Sequence, residues 1–399
     1  MSIPAYLTGH LARAIRGVKD RGLDRWLVPY LTTRRPRPPA DAPVHLLLCV
    51  ADHFEPKRGG PPEAVAARRV RDWVGGYPRL FDRFRDSDGK PPRHSFFYPV
   101  EEYEPRYLDD LAALCRAGFG EVEVHLHHDR DHAENLRRTL TGFKELLAGR
   151  HGLLARDRET DAVRYGFIHG NWALDNGRPD GRWCGVNNEL DVLRETGCYA
   201  DFTLPSYPSP TQTRTINSIY YAVDDPHRPR SHDTGVKVGV GSRPENSLML
   251  IQGPLVLDWR RSRLRPRVEN GCIQGNQPPT DDRIDAWLRA GVVVPTRPDW
   301  SFVKLHTHGA EEANQRVLLG EPMTRFHEAL ARRAEADPRF HYHYVTAREM
   351  YNLACAAEAG WTGDVAGARD FRLTCTWQVA PRPAAGPATK RSSLAGAGV

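Results

Sequence analysis

The sequence predicts an α/β fold, and three observations predict it. From Val44 onward, short apolar runs alternate with stretches of helical spacing. Strand followed by helix, repeated, implies parallel strands, because a crossover helix must return the chain to the same end of the sheet. Three apolar runs, LLLCVADHFEP at 46–56, EVEVHLHHDRDH at 121–132 and FVKLHTHG at 302–309, end directly in Asp or His. Ligands delivered by separate strand ends are how barrel enzymes assemble a site at one rim. No GxGxxG or phosphate-binding glycine loop favours a nucleotide-binding open sheet, so an α/β barrel is the expected architecture.

Residues 1–31 have helical spacing, with Leu7, Leu11, Ile15 and Val18 on one side and Arg13, Arg16, Lys19 and Arg21 elsewhere. The run RRPRPPADAP ends that segment. Such a basic amphipathic helix packs on its parent domain or makes peripheral contact with an anionic membrane. Next come VHLLLCV at 44–50 with a helix over 62–86, HSFFYPV at 94–100 with a helix over 104–117, and EVEVHL at 121–126 with a helix over 132–149. YGFIHG at 165–170 leads through a long loop to a helix over 187–196 and the strand CYADFTLP at 198–205. The later part holds VKVGVG, LMLIQGPLVL, a helix over 281–290, WSFVKLH, a helix over 310–335, HYHYVT and a helix over 346–358.

The stretch 207–280 is rich in Pro, Gly, Asn and Arg and reads as a loop-rich insertion. Residues 381–399 carry too little apolar surface to order themselves. The expected organisation is a helical extension over 1–40, a barrel over 41–360 with its insertion, and a short strand and disordered tail over 361–399.

Composition narrows the function classes. The formal charge of +6 comes from scattered arginine among nearly as many acids, without the basic stripe and interleaved aromatics of a nucleic-acid surface. Seven widely spaced cysteines without a CxxC pair indicate neither a zinc knuckle nor a disulfide scaffold. With no signal-peptide pattern and no apolar run of about 18 residues, a cytoplasmic protein without a transmembrane segment is expected.

The run at 121–132 gathers four histidines and two aspartates, the donor types of a divalent-metal site. On a strand, His125 and His127 share one face, while His128 points to the other unless the strand has already ended. By the same rule His306 and His308 share a face. The available carboxylates for base work are Asp52, Glu55 and Asp129.

Taken in order, CVADHFEP, HHDRDH, FIHGNWALDN, ETGCYADFTLP and KLHTHG resemble the motifs of the polysaccharide deacetylase superfamily, carbohydrate esterases built on a distorted (β/α)7 barrel. The resemblance implies a metal-dependent hydrolase that removes an N-acetyl or similar acyl group from a sugar or glycan precursor, with Zn²⁺ as the ion. It assigns Asp52 and His306 to catalysis and Asp52, His127, His128 and His132 to the metal. Substrate contacts fall on His169, Asn171, Trp172, Asp201 and His308. Ala51 stands where the family has its base, and HGNWALDN replaces an arginine-proline motif. Two alternatives follow: a catalytically silent carbohydrate-binding relative, or a glycoside hydrolase using Asp52 with Asp201 or Asp175.

Overall fold

The computed structural model describes residues 17–33, 41–241, 243–260 and 266–375. The expectations for residues 1–16 and for the tail 381–399 lie outside these. Helix α1 (Leu23–Thr32) buries Trp26 between Tyr30 and Tyr207, so this part of the extension packs on its own chain. Val28 and Leu31 of α1 are exposed. No helix among the described residues is long and apolar enough to cross a membrane.

The alternation begins with β1 (Val44–His53), α2 (Glu63–Phe81), β2 (His94–Pro99), α3 (Pro105–Arg116), β3 (Gly120–Leu126) and α4 (Ala133–His151). A short β4 (Ala155–Asp157) precedes β5 (Val163–His169), α5 (Glu189–Thr196) and β6 (Cys198–Asp201). Within the expected insertion lie β7 (Ile219–Val223), β8 (Val236–Lys237), β9 (Ser247–Ile251), β10 (Val256–Asp258) and β11 (Arg267–Glu269). Strand β9 pairs in parallel with β6, so the insertion contains a strand of the central sheet. The chain continues through α6 (Asp281–Ala290), β12 (Trp300–Thr307), α7 (Glu312–Leu318), α8 (Glu321–Ala336), β13 (Phe340–Tyr344), α9 (Ala347–Glu358), α10 (Val365–Ala368) and β14 (Leu373–Cys375).

The helix expected over 310–335 is therefore two. Gly320 is extended and Pro322 follows at the start of α8, where the missing N–H of proline costs nothing.

The central sheet is large and mostly parallel, in the order β12-β1-β2-β3-β5-β6-β9-β7-β8, with β13 also beside β1. Its hydrogen-bonded path does not close. Between β12 and the β6 end, the buried Lys304 ammonium instead donates to the carbonyls of Phe202 and Leu204.

Strand alternation sorts the side chains into two faces. Leu46, Leu48, Phe96, Tyr98, Val122, Val124, Phe167, Val303 and Leu305 face a core shared with α2 to α5. Leu47, Cys49, Ala51, Phe97, Ile168, Trp300 and Phe302 share the other face with Met350, Leu353 and Ala354 of α9. Burial of both faces explains the near-continuous apolar runs of β1 and β12. Near α9, Arg348 pairs with Glu121, and Glu349 pairs with Arg93 and Arg369.

Candidate metal centre

The ends of β1, β3 and β12 converge on the face that carries Ala51. Alternation places His53 on that face beyond Ala51, with Glu55 just past the strand. On β3 it places Glu121, Glu123 and His125 there, followed by His127. Glu55, His125 and His127 each offer a donor atom within 4.8 Å of the others, a group that could hold a metal ion. Glu55 Oε1 lies 3.3 Å from His125 Nε2 and 3.1 Å from His127 Nε2. Its other oxygen accepts from Arg58 at 2.7 Å.

The far nitrogens of both imidazoles are anchored. His125 Nδ1 donates to the Ile168 carbonyl at 2.8 Å, and His127 Nδ1 donates to Glu101. In the neutral tautomers these bonds select, both Nε2 lone pairs face the same carboxylate oxygen. That arrangement is repulsive unless a proton or a cation lies between them.

His53 and His308 complete the cluster. Their rings stack at 4.7 Å, His53 meets His125 edge-on at 4.9 Å, and Trp172 lies 5.8 Å from His53 and 5.9 Å from His308. Burial opposes charge on Glu55, but His125 and His127 outweigh it and hold the carboxylate far below its usual range. Burial likewise opposes a proton on His127, yet Glu101 and Glu55 raise it to about 9. Burial, aided by His308 and His125, depresses His53 well below the imidazole range, and burial also depresses His308. The stacked pair is thus held neutral.

No family model matches the chain, and no curated protein matches it.

Of the residues the sequence singled out, Glu55, His125, His127, His308 and Trp172 meet in this cluster. Asp52 does not, because it occupies the other face of β1. One of its oxygens is 2.8 Å from His94 Nε2, and the other accepts from the Gly309 backbone at 2.6 Å. It positions the turn that follows His308 instead of meeting the imidazoles. His132 is exposed and caps α4, its Nδ1 accepting from the Asn135 backbone. His306 lies deeper on the same face as His308, paired with Ala51 across the β1–β12 ladder, its Nδ1 buried without a partner.

Asp201 binds Thr203, whose hydroxyl accepts from the His169 backbone, and burial raises Asp201 to about 7. Asp129 accepts from the Trp183 backbone. Asn171 and Trp172 both adopt left-handed backbone, φ 56°, in the turn after β5. Non-glycine residues are held there only when their surroundings over-determine the conformation. His128 and His169 face away from the Glu55 cluster, toward Glu189.

Sequence reasoning missed His53 and Glu101. Both carried a signal: His53 lies one residue beyond Asp52 on the alternate face, and YPVEEYE is a fourth strand end running into acids.

Proposed function

We propose that the protein is a metal-dependent hydrolase that removes an acyl group, N-acetyl first among them, from a sugar or glycan precursor. The observation that carries this reading is the convergence of two anchored imidazole nitrogens on one oxygen of Glu55. Glu55, His125 and His127 would hold a divalent ion, with Zn²⁺ suited to a nitrogen and oxygen donor set. When bound, such an ion polarises an acyl oxygen and lowers the pKa of a bound water toward ~7.

The neutral His53–His308 pair would offer an accepting nitrogen for a proton from the attacking water, and would return that proton to the departing nitrogen. His308 thus takes the part the motif resemblance gave to His306. Trp172 supplies an apolar wall suited to one face of a pyranose. Seven strands, β1, β2, β3, β5, β6, β9 and β12, support the reading as a distorted (β/α)7 barrel left open between β9 and β12. Asp52 and Asp201 are both held by internal partners, which weighs against hydrolysis of a glycosidic bond by paired carboxylates. Cytoplasmic placement belongs to the same reading.

The test is acetate release from a panel of N- and O-acetylated sugars by zinc-loaded protein, with Glu55→Gln and His125→Ala alongside. Release that both substitutions abolish supports the reading. Folded protein holding an ion at Glu55 that hydrolyses no acyl sugar overturns it.

A further inference from the structure

On the opposite side of β3, a second group of donors is closed off from solvent. His128 follows β3, His169 ends β5, Cys184 lies in the long loop after β5, and Glu189 opens α5. His169, Cys184 and Glu189 are fully buried, and the His128 side chain is 7% exposed. One donor atom from each lies within 4.8 Å of the other three. Glu189 Oε1 is 3.1 Å from His128 Nε2 and 3.6 Å from His169 Nε2, and Cys184 Sγ is 3.4 Å from Glu189 Oε2.

Hydrogen bonding again selects the tautomers. His169 Nδ1 donates to the Gly170 carbonyl, leaving a fully buried Nε2 with no hydrogen-bond partner. Burying such a nitrogen beside a carboxylate and a thiol costs free energy unless something lies between them. His128 Nδ1 is 3.2 Å from Asp131 Oδ2, which turns Nε2 inward to Glu189. Asp131 in turn donates its backbone N–H to the Cys184 carbonyl and accepts from Asn135. This is the outer carboxylate that metal-bound imidazoles commonly have.

We propose that His128, His169, Cys184 and Glu189 form a closed tetrahedral site for a zinc-class ion, separate from the Glu55 cluster. Two imidazoles, a thiolate and a carboxylate suit Zn²⁺, whose ligand distances of about 2.0–2.3 Å set tetrahedral edges of about 3.3–3.8 Å. The spacings of 3.1 and 3.6 Å from Glu189 Oε1 to the two imidazoles already lie near these edges, and all four donors lie within 4.8 Å of one another. With all four donors buried, no position remains for a substrate, so the role is structural. The ion staples the loop 170–188 to the ends of β3 and β5. That loop holds Asn171, Trp172, Asp175, Asn176 and Trp183 in left-handed backbone, φ 49–70°. It also carries Trp172 to the other cluster, which is how a buried staple would support an open site.

This inference stands independently of the hydrolase reading, and cobalt separates the two. Protein stripped of metal and loaded with Co²⁺ should show a sulfur-to-cobalt charge-transfer band and intense tetrahedral d–d bands. Of these two sites, only the one with Cys184 contains sulfur. Elemental analysis of zinc-loaded protein should give one ion per chain that survives Glu55→Gln and is lost in Cys184→Ser. One ion with the sulfur band and none at Glu55 supports this proposal and defeats the hydrolase reading. Metal uptake without the sulfur band, or no uptake at all, overturns it. The cobalt spectrum is read on the unaltered chain, so the outcome does not depend on how Cys184→Ser folds.

Discussion

Gly309→Ala tests how the rim is held together. An added Cβ would sit 2.1 Å from Asp52 Oδ2 and 2.8 Å from Trp73 Cζ2, well inside the 3.0 Å that real Cβ contacts respect. The carboxylate would have to retreat by nearly an ångström. Its other oxygen accepts from Gly309 N at 2.6 Å, and Trp73 Nε1 donates to Gly309 O at 2.9 Å, so the retreat breaks or stretches both bonds. Losing a hydrogen bond to a charged group costs about 1.5–3 kcal/mol, and overpacking a tight interior about 1–3 kcal/mol. The expected loss is about 2.5–6 kcal/mol, a large fraction of the 5–15 kcal/mol typical of a domain. Urea unfolding of Gly309→Ala, Asp52→Asn and the double variant measures it, with a coupling of at least about 1 kcal/mol expected between residues in direct contact. The turn carries His308, so activity should fall with stability. A loss below about 1 kcal/mol with additive singles would refute the claim that Asp52 pins this turn.

Four further outcomes are expected. Glu55→Gln should lower metal content by one ion per chain on elemental analysis, because the oxygen that both imidazoles face loses its charge. His132→Ala should leave metal content unchanged and destabilise by about 0.5–1 kcal/mol in chemical denaturation, the cost of a helix cap. Trp172→Ala should raise KM for a sugar substrate by roughly tenfold, about 1.4 kcal/mol, with little change in far-ultraviolet circular dichroism. Burial alone would raise Glu349, but Arg93, Arg369 and Arg348 hold it well below its ordinary 4.5. A depressed carboxylate stabilises the fold above the unfolded value and loses that contribution as pH falls through the folded one. Urea midpoints should therefore drop progressively below pH 4.5, with a shallower slope in Arg93→Gln.

Much of the fold was legible because its elements announce themselves locally. The helix over 281–290 and the strand starts at Val44, His94 and Trp300 lie where apolar spacing puts them. The apolar run LMLIQGPLVL was visible, but the Pro, Gly and Asn around it assigned 207–280 to an insertion, and only the pairing of SLMLI with β6 makes it a strand of the central sheet. At the site, the segments that the sequence singled out meet, but not through all of the side chains that motif order favoured. Motif order favoured Asp52, yet one residue along a strand is a change of side, which places Asp52 against His94 and His53 against His308. Spacing favoured His128 with His132, but β3 ends at Leu126 and His132 begins a helix. Cys184 and Glu189 gave no signal, because they belong to loop and helix positions whose meeting with His128 and His169 depends on how the chain returns after β5.

The HLHH run shows why the two clusters belong to one design. His125 and His127 look to the face of Ala51 and His53, and His128, past the strand end, turns to the face of His169 and Glu189. Each imidazole is anchored through one nitrogen by a different group, Ile168 O for His125, Glu101 for His127 and Asp131 for His128, and each presents the other nitrogen to a buried carboxylate. A histidine retained for packing has no need of an acceptor behind it and a carboxylate ahead of it, and three in succession share both. The loop carrying Trp172 ties the faces together, since it leaves β5 beside one cluster and touches the other. Loosening the buried group should therefore weaken substrate contact at the open one before it disturbs the sheet.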